Sequence, residues 1–190
     1  MIKPQYLYKA MCEGFNSHHG KKKWTPGKWY KVKGELEMCE NGLHASERII
    51  DAMGYVPMEI LAKVEVRGDC EKQSDKQCWR EMRIIRAWRW TKKDSVALAI
   101  YSAGLVLKNF EAEHPDDKRP REAINAARRW LKNSTEENRM AAGSAAESAA
   151  GSARSAAWSA WSARFAAGEE VLDKIETWIR RRISRLEEIT

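Results

Sequence analysis

No two of the four cysteines in this chain, Cys12, Cys39, Cys70 and Cys78, stand in a C-x-x-C pair. Four scattered thiols in 190 residues exclude a dense disulfide scaffold and point to a reducing compartment. The opening MIKPQYLYKAM lacks the apolar h-region of a signal peptide, so the expected location is the cytoplasm. No apolar run is both long and uncharged enough to cross a bilayer. The small-residue stretch 141–167 has the length, but it contains Glu147, Arg154 and Arg164 and is rich in Ser and Gly, so no membrane association is expected. On paper Cys39 and His44 combine with Cys12, His18 and His19 as zinc ligands. Their spacings match no common zinc module, so neither a metal nor a cofactor is expected.

An excess of positive charge is present, and it is confined to one half. Residues 1–93 carry 19 Lys+Arg against 12 Asp+Glu, and residues 94–190 carry 15 against 15, so the net charge of +7 belongs to the first part. A basic module beside a neutral one suits a partner of negative potential, whether nucleic acid, an acidic protein surface or a phosphorylated ligand. The alternative is that a modest positive balance only keeps a small domain in solution.

The pattern of residues predicts an α+β chain: a small basic α+β module, 1–93, followed by an alanine-rich helical hairpin or bundle, 94–190. In the module, Tyr6–Met11 reads as a strand ending at Gly14, and the stretch 18–27 (HHGKKKWTPG) as a loop. A second strand is expected over about Lys28 to Glu37, and a turn at Glu40-Asn41-Gly42. Ser46 reads as the N-cap of a short helix closed by Gly54. Ile60, Ala62, Val64 and Val66 alternate with less apolar residues in a strand that Gly68-Asp69 should end. Cys78 to Trp90 alternates throughout, with Trp79, Glu81, Arg83, Ile85, Ala87 and Arg89 on one face.

In the second part Asp94 is the expected cap of a helix ending at His114-Pro115, and Pro120 suits the first turn of the next. Ser134 and Glu137 form the pattern of a capping box for a third. In that helix Ser144, Ser148, Ser152, Ser155, Ser159 and Ser162 recur at an average of 3.6 residues, one stripe of an α-helix. Small side chains let helices approach closely, and Trp158, Trp161 and Phe165 add the bulk alanine lacks. A second copy of the chain is a further candidate to pack on these alanine-rich helices. Gly168 is expected to break the helix before a last one, whose end gathers Arg180, Arg181, Arg182 and Arg185. Arginines there complement the helix dipole, or they hold an acidic partner.

Two resemblances follow from particular strings. The run Cys39-Glu40-Asn41-Gly42-Leu43-His44-Ala45-Ser46, preceded by Leu7-Tyr8-Lys9-Ala10-Met11 and followed by AKVEVRGD at 62–69, resembles an uncharacterised small domain of phage and bacterial proteins with a C-x-x-G-[FL]-H-A core. Phe110 to Ile124 (FEAEHPDDKRPREAI) and the Trp-punctuated alanine run resemble the helical region of phage and bacterial proteins labelled immunity proteins by gene context. That resemblance implies a phage- or mobile-element-encoded protein of the host cytoplasm. Such a protein neutralises a host or competitor protein by binding it, in an anti-defence or immunity-like role.

The order of strand, G-L-H-A-S, helix and valine-rich strand is also similar to the start of ADP-ribosyltransferase-like folds. It implies a nucleotide pocket with Tyr8 and Lys9 at the first motif, His44 and Ser46 at the second, and Glu81 orienting a ribose hydroxyl. The usual Arg or His of the first motif is missing. Read from the residues alone, His44 hydrogen-bonds the backbone of its own turn, and Glu81 pairs with Arg80 and Arg83 on the surface. A third reading is nucleic-acid binding, with Lys21, Lys22, Lys23 and Lys28 on phosphates and Trp24 and Trp29 stacked on bases. Binding without catalysis is the expectation placed first.

Overall fold

The computed structural model describes the backbone of residues 4–18, 22–54, 56 and 58–190, and the side chains of all of these except 145–167. The chain forms two compact units, one of residues 1–91 with 176–190 and one of residues 92–175. Residues 176–190, which the sequence pattern groups with the helical part, here contact the sheet unit.

The first unit is built on an antiparallel sheet in the order β1 (Gln5–Met11), β4 (Ile60–Lys72), β5 (Gln77–Arg89), β2 (Tyr30–Lys31), with β3 (Leu43–Ala45) also on β5. β1 lies along β4 from Gln5 opposite Val66 to Met11 opposite Ile60. The apolar alternation of both strands thereby feeds one core of Leu7, Met11, Ile60, Ala62, Val64 and Val66, joined by Met82, Ile84, Ala87 and Trp79 from β5. Burying each such side chain contributes about 1.5–3 kcal/mol.

Three expectations for the strands change. Gly68-Asp69 does not end β4. Gly68 takes a left-handed φ of 84° at a register shift between Arg67 and Cys70, and the strand continues to Lys72 before Gln73 N–H closes the hairpin on the Lys76 carbonyl at 2.9 Å. Strict alternation in β5 fails for the same kind of reason. Lys63 faces Arg86 but Val64 faces Ile84, so Ile85 is an extra residue and the buried series steps from Ile84 to Ala87. The strand expected over 28–37 shrinks to two residues, flanked by single bonds from Gly27 N–H to Ile84 O and from Val32 N–H to Arg80 O.

Ser46 is not a helix cap. Its backbone pairs with Tyr8 (2.8 and 2.9 Å) and its side chain is buried. Helix α1 (Ile49–Met53) starts after Arg48, which makes no side-chain cap. Its first N–H groups are taken by a residue far along the chain: Ile49 N–H donates to Glu176 Oε2 at 3.0 Å and Ile50 N–H to the same oxygen at 3.2 Å. The C-terminal residues complete the unit. Ile179 and Ile183 are buried, Arg89 N–H donates to Glu187 O (3.0 Å), and Ile189 N–H donates to Ala87 O (2.9 Å).

In the second unit α2 (Lys92–Glu113) packs against α3 (Arg119–Lys132), and α4 begins at Glu136. Asp94 lies inside the first turn of α2, buried, because the helix starts at Lys92. Pro120 sits in the first turn of α3 as its fixed φ favours, and Asp117 Oδ1 accepts the Arg119 N–H at 3.1 Å. The cap of α4 is Thr135 in place of Ser134: Thr135 Oγ1 accepts Asn138 N–H at 3.2 Å, while Ser134 donates to Trp130 O at 3.1 Å. Gly168 does not interrupt α4, which runs Glu136–Ile183 as one helix; an internal glycine costs about 1 kcal/mol and need not break a long helix. The serine stripe from Ser148 onward and Trp158, Trp161 and Phe165 lie outside the described side chains. Among the described residues no helix is long and apolar enough to cross a membrane.

The long-range cap predicts that Glu176→Ala destabilises the protein by about 1–3 kcal/mol, since buried N–H groups lose their acceptor. Glu176→Gln, which keeps an acceptor oxygen, should lose less. Urea denaturation of the two variants checks this, and wild-type midpoints for both would remove the cap from the account.

Candidate functional site

The C-x-x-G-L-H-A segment is a turn whose residues hold one another. Glu37 and Asn41 exchange backbone bonds (3.0 and 2.9 Å), and Cys39 between them takes a left-handed φ of 72°. The Cys39 N–H donates to His44 Nε2 at 3.0 Å. Burial, then the charges of Lys9 and Lys76, push the His44 imidazole below its ordinary value, so at neutral pH it is uncharged and able to accept. Asn41 Nδ2 donates to Lys33 O (2.8 Å) and Glu35 O (2.6 Å), tying down the preceding loop. Gly42 is required by close approach: a Cβ there would lie 1.9 Å from Cys78 Sγ. Cys78 and Lys76, whose ammonium sits 3.1 Å from Cys39 Sγ, have no signal in the sequence of this turn, because cross-strand neighbours leave no local spacing.

The residues assigned to a nucleotide pocket are only partly brought together. Tyr8 and Ser46 are backbone partners, and His44 is near on β3. The Tyr8 hydroxyl accepts from Arg180 Nη1 at 2.7 Å. β3 pairs with Gln77–Trp79 and ends before Glu81, whose opposite residue is Lys31 of β2. Glu81 bonds Arg67 Nε at 2.8 Å and Lys31 Nζ at 3.1 Å, and the Arg67 bond, then that of Lys31, holds its carboxyl below the usual range. The expected partners go elsewhere, Arg83 to Glu65 (2.6 Å) and Arg80 to Asp69 (3.4 Å). Among the described residues no group of three or more His, Cys, Asp or Glu is placed to hold a metal ion. All four cysteines are free thiols.

The loop read as a nucleic-acid contact is arranged differently from that expectation. Lys21 lies outside the described residues, and Lys23 is exposed. Trp24 is not a surface stacking platform: it is 2 % exposed, belongs to the core, and donates Nε1–H to Ser17 Oγ at 2.8 Å. Trp29 is occupied by guanidinium groups, with Arg67 at 3.9 Å and Arg83 at 4.8 Å from its ring centroid. Around Trp24 stand Lys9 and Lys22, 5.5 and 5.6 Å from its centroid, and Lys22 and Lys28 stand 5.3 and 5.5 Å from that of Tyr30. Lys9 Nζ donates to His44 O at 2.9 Å. Burial, with Lys22 adding repulsion, lowers its pKa from 10.5 to about 8.

Of the C-terminal arginines, Arg180 pairs with Glu176 at 2.6 Å and lies over the Tyr8 ring at 5.1 Å. Arg181 and Arg185 are exposed and Arg182 is half-buried.

Residues 6–94, which cover nearly all of the sheet, match a family described as a domain of unknown function (DUF7666). Residues 89–168, covering α2, α3 and much of α4, match a family described as Imm-5 like putative immunity protein. The two matches thus fall one after the other, the first on the strand-rich part of the chain and the second on its helices. Comparison with curated proteins and with solved structures gives no match.

Gly42→Ala should destabilise the protein by about 1–3 kcal/mol through overpacking on Cys78. Cys78→Ala removes the clashing sulfur, so the double variant should recover most of that loss relative to Cys78→Ala alone. A thermal-denaturation cycle with strictly additive effects would contradict the contact.

Proposed function

We propose that the protein is an immunity-like binder that neutralises a host or competitor protein by non-covalent association. It is encoded by a phage or other mobile element and works in the cytoplasm, with the helical unit as its docking part. The match of residues 89–168 to the immunity-protein family carries this reading. The chemistry of α2 supports it. Of its 22 residues only Asp94 and Leu98 are buried, and Val106 is 47 % exposed. Met140, in the first turns of α4, is 64 % exposed. Apolar side chains left in water are the usual anchors of a protein partner. Such association needs no reacting group, which suits residues whose polar atoms are engaged in ion pairs and turns.

Products of genes adjacent to this one are the natural partners to test, by co-expression and by titration of the purified full chain. Val106→Asp and Met140→Asp stand at exposed positions, so each should change stability by no more than about 0.5 kcal/mol. Each should weaken the complex by about tenfold or more, as loss of an interface anchor does. Binding of wild-type strength in both variants would remove this docking surface, and absence of any complex with those products would remove the reading.

A further inference from the structure

We propose that Lys9, Lys22 and Lys28, gathered around Trp24 and Tyr30 in the sheet unit, form a binding site for the phosphate group of a small anionic ligand. The site lies outside the immunity-like domain, and its test is independent of that reading.

Charge compensation sets these lysines apart. The arginines of β4 and β5 have acidic partners: Arg67 with Glu81, Arg83 with Glu65, Arg86 with Glu188, Arg89 with Glu187, Arg80 with Asp69. No carboxylate among the described residues pairs with Lys9, Lys22 or Lys28. Their contacts are the His44 carbonyl and two aromatic rings whose centroids are 4.7 Å apart. An enclosed ammonium without a counter-ion costs free energy in the fold, and a second cation nearby increases that cost. The depressed pKa of Lys9 is one consequence of both. Tyr30 reports the same field. Burial alone would raise its phenol, yet the bonds from Thr25 and the charges of Lys28 and Lys22 bring it below its ordinary value. Such a cluster has no structural partner to satisfy, and an anion would relieve the repulsion.

The class of anion follows from the donors. Three ammonium groups are compact point charges with several rotatable N–H bonds each, matching the three oxygens of a phosphate group, which carries about −1.5 to −2 charges at neutral pH. A nucleic-acid strand needs bases stacked on open rings, and Trp24 is buried while Trp29 carries two guanidinium groups. The phosphate of a small ligand therefore fits better than a polynucleotide backbone.

The test uses the full chain with pyrophosphate as probe at constant ionic strength, chloride serving as reference, followed by thermal shift and calorimetric titration. Saturable binding and a raised Tm are expected in the wild type. Lys22→Gln and Lys28→Gln should each weaken it by about tenfold, the loss of one charge-assisted contact. Lys9→Met should abolish it without loss of fold, because an apolar side chain replaces a desolvated ammonium. Affinity should fall as pH rises through about 8, where Lys9 loses its proton. The titratable groups around it are Lys22, His44 and Tyr30; in Lys9→Met that step in any residual binding should vanish. The proposal is overturned if pyrophosphate gives no response beyond chloride, or if Lys9→Met and Lys22→Gln bind it like the wild type. It is overturned equally if a single-stranded oligonucleotide binds through these lysines while pyrophosphate does not.

Discussion

β5 is bonded along one edge to β4 and along the other, in succession, to β3, β2 and the C-terminal residues. Four segments, three of them distant in sequence, therefore depend on one strand for backbone partners. An unpaired strand edge in a small sheet leaves N–H and C=O groups open to other chains. Here short, separate pieces close it, none of which has enough ladder bonds to persist without β5. The register shifts in the β4–β5 hairpin belong to the same constraint. The one between Lys63 and Val64 lets side chains on both sides of Ile85 reach the core, at the expense of strict alternation.

The second dependence is the Glu176 cap on α1. Five residues make a helix too short to stand by itself, and nucleation is the unfavourable step. Its sequence supplies no capping side chain at Arg48. The carboxylate that fills the role comes from 127 residues away, held in place by Arg180 at its other side. The sheet unit is therefore incomplete without residues that follow the whole helical unit in the chain, and its folding has a non-local step of the kind that slows assembly.

What was legible in the sequence is what local chemistry decides. The α+β class, β1, the first half of β4, the end of α2, the start of α3 and the backbone hydrogen bond of His44 in its own turn follow from alternation, proline and turn residues. What was not legible depends on partners far away. Ser46 looks like a cap because a short helix follows, but the backbone of Tyr8 competes for it. Glu81 looks like a neighbour of Arg80 and Arg83, yet its cross-strand position gives it to Arg67 and Lys31. Trp24 beside a lysine run looks like a surface platform, but its indole has enough apolar area to join the core. Gly168 looks like a break because a new apolar stripe begins after it, although one glycine does not outweigh the long helix on either side.

The positive excess of residues 1–93 also changes meaning once the fold is known. A net charge counted along the chain suggests one basic surface. In the structure the arginines are spent locally, because a planar guanidinium beside a cross-strand carboxylate makes two directed bonds. Lys31 and Arg67 share Glu81, and Arg86 and Arg89 meet Glu188 and Glu187, which come from the neutral half of the sequence. The lysines around Trp24 and Tyr30 stand apart from these pairs and meet aromatic rings instead. Concentration matters more than the total, since exposed charges farther apart than about 8 Å are screened at physiological salt. Of these ammonium groups Lys9 is the enclosed one, with Lys22 half-buried and Lys28 exposed beside it, so its field acts where water and counter-ions have least access.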